Sequence, residues 1–177
     1  ELLITGKGAN GQKGLLLSAS ASLPLIYFTG KNRISPLTAP NFCMLLRKHI
    51  GSARITAIRQ PGLERVVEFE LEHLNELGDV CHKVLIMELM GKHSNIIFCD
   101  DNNMILDSIK HVSCNVSSVR EVLPGRPYFI PHTQDKLDPL TISREDFMEK
   151  VCGRSNAVSK ALYQTLTGFS PVMAQEL

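Results

Sequence analysis

The run Gln60-Pro61-Gly62-Leu63-Glu64-Arg65 sets an acid–base pair directly after a Pro-Gly turn. Pro at one turn position and Gly at the next suit a type II turn, and a stiff turn orients the residues after it. The Arg65 guanidinium can stack on a nucleobase or hold a phosphate, and the Glu64 carboxylate can accept from base amino groups. The competing reading is a strand-edge ion pair worth under about 1 kcal/mol. A second polar group, Gly91-Lys92-His93-Ser94-Asn95, lies between two apolar runs. A tight corner needs Gly and Asn but not Lys and His together. Exposed polar loops held between strands are where binding function sits, although a solvated hairpin tip has the same composition.

Charge is uneven along the chain. Between 41 and 66, Arg47, Lys48, Arg54, Arg59 and Arg65 face Glu64 alone, a balance of +4. Between 67 and 90, Glu68, Glu70, Glu72, Glu76, Asp79 and Glu88 face Lys83 alone, a balance of −5. A basic face of this kind can track phosphates although the whole chain carries only +1. The alternative is that these charges pair across strands and only solubilise. Arg47, Lys48, Arg59, Lys92 and His93 are the secondary candidates for contact with a phosphate backbone.

Catalysis finds little support. His49, His73, His82, His93, His111 and His132 show no metal-ligand spacing with one another or with cysteine. No nucleophile elbow, phosphate loop or dinucleotide fingerprint occurs. Ser94 and His93 are strand neighbours, whose side chains point to opposite faces. No catalytic residue, metal or cofactor is therefore expected.

Elements must hold these groups in place. Leu2–Thr5 and Leu15–Ser18 flank a turn over 6–11 and read as a hairpin, with Leu25–Thr29 a third strand. In 41–50, Phe42, Leu45, Leu46 and Ile50 recur at helical spacing, with Pro40 and Asn41 before and Gly51 after. In 65–74, Val67, Phe69 and Leu71 alternate with Glu68, Glu70 and Glu72, a half-buried strand with a wet acidic face. The run 83–90 is apolar at nearly every position and reads as a central strand covered on both sides. Strands over 96–99 and 104–109 flank Asp100-Asp101-Asn102-Asn103, a composition that tolerates positive φ. Arg120 and Arg126 bracket a Pro-Gly corner, read as an anchor for the proline-rich connector of 124–139. Ser143 with Asp146, and Ser170 with Pro171, are helix-start signals on either side of a helix over 158–166. A β-rich part, 1–139, thus precedes a helical part, 140–177.

The 177 residues suit one domain, or one domain plus a fragment of a second. Five scattered cysteines, an odd number without a Cys-x-x-Cys pair, predict free thiols in a reducing cytoplasm. No apolar run is long enough to span a bilayer. The chain opens inside a strand at Glu1 and ends inside a helix at Leu177, so it reads as a fragment of a longer protein.

Five blocks in order, Phe42 to His49, Met87 to Ile97, Ile109 to Val112, Val122 to Gly125 and Gly168 to Pro171, resemble the NFACT family, whose bacterial members are the RqcH proteins, also labelled fibronectin-binding protein A-like. The resemblance spans nearly the whole chain. It implies an α+β fold, a β-sandwich like the amino-terminal domain of formamidopyrimidine-DNA glycosylases with flanking helices, leading into a helix-hairpin-helix-like domain. It carries over fold and not glycosylase chemistry. It also implies a role in ribosome-associated quality control: binding an obstructed large ribosomal subunit and recruiting tRNA, alanyl-tRNA in bacteria, for C-terminal tailing of the stalled peptide. The family's tRNA-contacting Asp-Arg pair matches Glu64-Arg65, with Glu one methylene longer than Asp. Fibronectin or fibrinogen binding at the cell surface is the rival implication. A sheet edge left uncovered by a missing start would favour a homodimer.

Overall fold

The computed structural model describes residues 1–9, 11–31, 33–131 and 135–177. Asn10, in the turn expected over 6–11, and His132, one of the six histidines, lie outside the described residues. The chain is α+β, with two antiparallel sheets and a few helices. Its contacts fall into two compact units, Glu1–Pro61 with Arg65–Ile130, and Gly62–Glu64 with Pro131–Leu177.

In the first unit, β1 (Leu2–Gly8), β2 (Gly11–Ser18) and β3 (Leu25–Thr29) form a three-stranded meander. The hairpin strands run further than expected: Gly6, Lys7 and Gly8 pair with Lys13, Gln12 and Gly11, so most of the anticipated turn is ladder. Helix α1 (Asn41–Ile50) follows, with Phe42 and Leu46 buried one turn apart and Arg47 and Lys48 exposed. Its last turn carries Arg47 and Lys48, cations that complement the negative end of the helix dipole.

The larger sheet orders β4 (Arg54–Arg59), β5 (Val66–Leu74), β6 (Val80–Glu88), β7 (Asn95–Asp100) and β8 (Ile105–Ser108) as five consecutive antiparallel strands. Strand β6 sits at its centre, and Leu85, Ile86 and Met87 are fully buried, as a strand covered on both faces must be. One face presents Phe69, Leu71, Leu85, Met87, Ile96 and Phe98 to a core shared with Leu17 of β2 and Phe42 and Leu46 of α1. The other face buries Val66, Ile86, Ile97, Cys99 and Ile105 beneath Val122, Tyr128 and Ile130. The period-two side-chain rule accounts for the split, because odd positions of β5 and β6 take the first face and even positions the second.

Two expectations need correction. Strand β4 was not expected from the sequence. The acidic face of β5 is not uniformly wet either: Val66 on it is fully buried, and Glu68 is half-buried. Burial, followed by repulsion from Glu70, holds the Glu68 carboxyl above its ordinary range. The hairpin β7–β8 turns at Asn103 with φ 58°, as its Asp/Asn composition implied.

In the second unit, Ser143 caps α2 (Arg144–Phe147) by accepting the Asp146 N–H at 3.0 Å. The helix widens into a π turn over Met148–Cys152. Helix α3 (Val158–Thr165) and α4 (Pro171–Glu176) follow, and Ser170 caps α4 by accepting the Met173 N–H at 3.1 Å. Val151, Ala161 and Leu166 form the core of this unit.

Candidate nucleic-acid interface

Strands β5, β6 and β7 bring three of the predicted contact residues, Arg65, Lys92 and His93, to one end of the larger sheet. Arg65 is exposed at the bend before β5, and its carbonyl accepts the Leu89 N–H at 2.8 Å. Val66 pairs with Glu88, and Glu88 pairs with Asn95. The start of β5, the end of β6 and the start of β7 are therefore neighbours, and Lys92 and His93 stand on the β6–β7 connection. Both are exposed.

That connection is not a solvated tip. Gly91–His93 is a single 3-10 turn, and Gly91 takes φ 57°, a conformation that favours glycine. Ser94 is fully buried and Asn95 nearly so. The Ser94 hydroxyl accepts the Met90 N–H at 2.8 Å, and the Ser94 N–H donates to the Gly91 carbonyl at 3.0 Å. The Asn95 amide donates to the Lys110 carbonyl at 2.8 Å, while its oxygen accepts the N–H groups of Ile96 and Lys110. The two polar residues of this corner that face inward are thus spent on its geometry, and Lys92 and His93 are exposed.

Arg59 ends β4 opposite Glu68, and its guanidinium pairs with the Glu70 carboxylate. Here the cross-strand pairing weighed for the basic segment is what occurs. Arg47 and Lys48 are not brought to the Arg65 end. Lys48 lies 3.9 Å from Glu76, which sits in the β5–β6 turn at the far end of both strands. Nine residues of β6 separate that turn from the Lys92 corner, about 26 Å at the usual rise per residue. Glu64 is half-buried and comes two residues after Gly62, whose φ is 51°, as a Pro-Gly turn requires.

Sequence reasoning did not find what anchors this end of the sheet from below. Glu88, the last residue of β6, is fully buried, and Arg120 donates to both of its carboxylate oxygens at 2.6 Å. Arg120 also donates to the Phe129 carbonyl at 2.6 Å, and Tyr128 donates its hydroxyl to Glu88 at 3.1 Å. Burial, with the adjacent Glu88 charge next in weight, keeps the Tyr128 hydroxyl protonated far above its usual range. The anchoring role expected of the Arg120–Arg126 corner is realised by Arg120, while Arg126 pairs with Glu121 at 2.9 Å. The one available signal was an acidic residue inside an otherwise apolar central strand, which demands a buried partner.

Among the described residues no group of three His, Cys, Asp or Glu could hold a metal ion, and no helix is long and apolar enough to cross a membrane. All five cysteines are free thiols.

The model of the family described as NFACT N-terminal and middle domains matches residues 1–177. Curated relatives include the Rqc2 homolog RqcH of Bacillus subtilis, 41% identical over 98% of this chain and 30% of that protein. The Rqc2 homolog RqcH of Streptococcus suis is 34% identical over the whole chain and 32% of its own length. The chain therefore spans about a third of the length of these relatives. Among solved structures, the N-terminal domain of the fibronectin-binding protein PavA from Streptococcus pneumoniae superposes with a TM-score of 0.86 at 34% identity, over 98% of this chain and 65% of that one. The fibrinogen-binding protein of Staphylococcus aureus gives 0.84 at 30% identity, over 98% of this chain and 61% of that one.

Proposed function

The chain belongs to the NFACT N-terminal and middle-domain family, and from that membership we propose that it is the RNA-binding module of a ribosome-associated quality-control factor. In this reading the full-length protein binds obstructed large ribosomal subunits and recruits tRNA, alanyl-tRNA in bacteria, for C-terminal tailing of the stalled peptide. The module acts in the cytoplasm by binding rather than by catalysis, on a scaffold of glycosylase-like architecture.

The observation that carries the reading is the gathering of Arg65, Lys92 and His93 at one end of the larger sheet, on strand ends and a corner fixed by buried hydrogen bonds. Polar side chains carried on an already fixed backbone cost little loop entropy when they meet a phosphate backbone. Arg65 with Glu64 is assigned to tRNA, and Lys92 with His93 to tRNA or ribosomal RNA. Arg65→Ala in the full-length protein should reduce the tRNA that co-sediments with the large subunit and leave the fold intact. Unchanged tRNA recovery, read by sequencing the bound RNA, overturns the assignment of Arg65.

A second reading is favoured by the structural neighbours, whose names are those of fibronectin- and fibrinogen-binding proteins. It predicts saturable binding of this protein to immobilised fibronectin or fibrinogen and its exposure on intact cells. Failure of both measurements removes it.

A further inference from the structure

Lys110 lies just past β8, and its backbone is held from two sides: Asn95 bonds both its N–H and its carbonyl, and the Ser108 hydroxyl donates to the same carbonyl at 2.9 Å. With the backbone fixed, the side chain reaches across the unit. Its ammonium donates to the Ala19 carbonyl at 2.7 Å and to the Ser94 carbonyl at 2.8 Å. Ala19 comes directly after β2 of the smaller sheet, and Ser94 closes the corner that carries Lys92 and His93. The same two segments approach again at Gly91, where an added Cβ would stand 3.9 Å from the Ala21 carbonyl.

We infer that Lys110 is the positioning residue of the Lys92–His93 corner, tying it to the smaller sheet through two main-chain carbonyls. Backbone carbonyls at chain reversals leave acceptors that ladder bonds do not use, and a buried acceptor without a donor is costly. One ammonium satisfies two such acceptors from different sheets, so the corner cannot shift without breaking a charge-assisted bond. Both acceptors are main-chain carbonyls, so Lys110 acts through the corner it holds and not by meeting an anionic backbone itself. The inference deepens the RNA-binding reading and rests on it only for the second half of its test.

The test uses the full-length protein with Lys110→Met, which keeps the length of the side chain and removes its donors, and Lys110→Arg, which keeps charge and donors. Amide hydrogen exchange at His93 and Ser94, whose N–H groups bond to Met90 and Gly91, should accelerate about tenfold or more in Lys110→Met relative to Ile97 in the same strand system. Lys110→Arg should restore at least part of that protection. If Lys110→Met does not fold, the arginine variant alone must still hold the His93 and Ser94 amides more protected than a Lys110→Gln protein does. Binding to purified large subunits should weaken in Lys110→Met, with the slope of log affinity against log salt unchanged, because a positioning residue touches no phosphate. A slope smaller by about 1 would make Lys110 itself a phosphate contact and overturn the inference. Unchanged exchange at His93 and Ser94 overturns it as well. Subunits that fail to bind the wild-type protein sink the RNA reading instead, and the exchange measurement still decides the role of Lys110.

Discussion

Arg120 Nη2 donates to both oxygens of Glu88 at 2.6 Å, with the Glu88 side chain fully buried and that of Arg120 only 10% exposed. The pair joins the end of the central strand β6 to the irregular segment that covers the second face of the sheet. Removing one partner of a buried pair strands the other charge in a poor solvent. Arg120→Ala should therefore cost about 3 to 5 kcal/mol in urea unfolding. The paired replacement Glu88→Leu with Arg120→Met should recover much of that loss, since well-packed apolar residues often equal a buried ion pair. A single-variant loss below about 1 kcal/mol would show that the pair is solvated in solution.

Tyr128 completes the network. Its hydroxyl donates to Glu88, and the Arg120 guanidinium lies 5.5 Å from its ring centroid. Tyr128→Phe removes one hydrogen bond to a charged acceptor and leaves the ring, so a loss of about 1.5 to 3 kcal/mol is expected. In an Arg120→Ala background the loss should differ, because the two share one carboxylate. Strict additivity in a double-mutant cycle would refute a shared network.

Much of the local structure was legible because its signals are local. The bounds of β3 and α1 follow from apolar periodicity, and Ser143 and Ser170 cap their helices as their types imply. Strand β4 was not legible, and its register explains why. The ladder shifts between Ile55 and Ala57, so Ile55 faces Leu71 and Ile58 faces Phe69 on the same side. An extra residue puts two apolar positions three apart on one face, which breaks the period-two pattern that announces a strand. Glu88 in an apolar strand signalled a buried partner, but the pair spans 32 residues of sequence and no local pattern named Arg120 as that partner. The candidate cations could be picked by type, but their division between two ends of the sheet depends on strand register, which only the pairing reveals.

His49 should make stability fall in mild acid. Its ring sits 6.0 Å from that of Phe98 and 6.2 Å from that of His73, edge to face with the latter. Burial first, then Lys48, Lys83 and His73, lower its pKa below 6.5, against a smaller opposing effect of Glu76. The unfolded chain then binds a proton that the folded chain resists, so stability is lost as pH drops below about 6.5 and the folded pKa is approached. Urea midpoints between about pH 5 and pH 7 should show a shallower decline in His49→Leu than in the parent. Equal slopes would assign the acid sensitivity to other groups.

Thiol reactivity should separate the cysteines. Cys99 is fully buried in β7, and burial, with Asp100 next in weight, pushes its thiol up to about 12. At neutral pH it is neither ionised nor reachable. Cys114 and Cys152 are exposed. Because the thiolate is the reacting species, a maleimide or disulfide reagent should modify Cys114 and Cys152 first and Cys99 only as the first unit unfolds. Modification of Cys99 at the rate of Cys114, read by peptide mass mapping, would show that the sheet opens around β7.

Lys92 and Lys48 offer the sharpest test of which end of the sheet meets RNA. Both are exposed cations of the same type, yet they flank opposite ends of β6, one on the β6–β7 corner and one beside Glu76 of the β5–β6 turn. If the Arg65 end is the interface, Lys92→Met should lower the affinity of the full-length protein for large subunits and reduce the salt slope by about 1 for each phosphate that the lysine neutralised. Lys48→Met removes an equal charge from the far end, about 26 Å away along the strand and beyond the Debye length of about 8 Å at physiological salt. Its affinity and slope should match the parent. The reverse outcome would move the interface to the C-terminal end of α1, and equal losses in both variants would mean that the protein is held by a diffuse field and not by a positioned site.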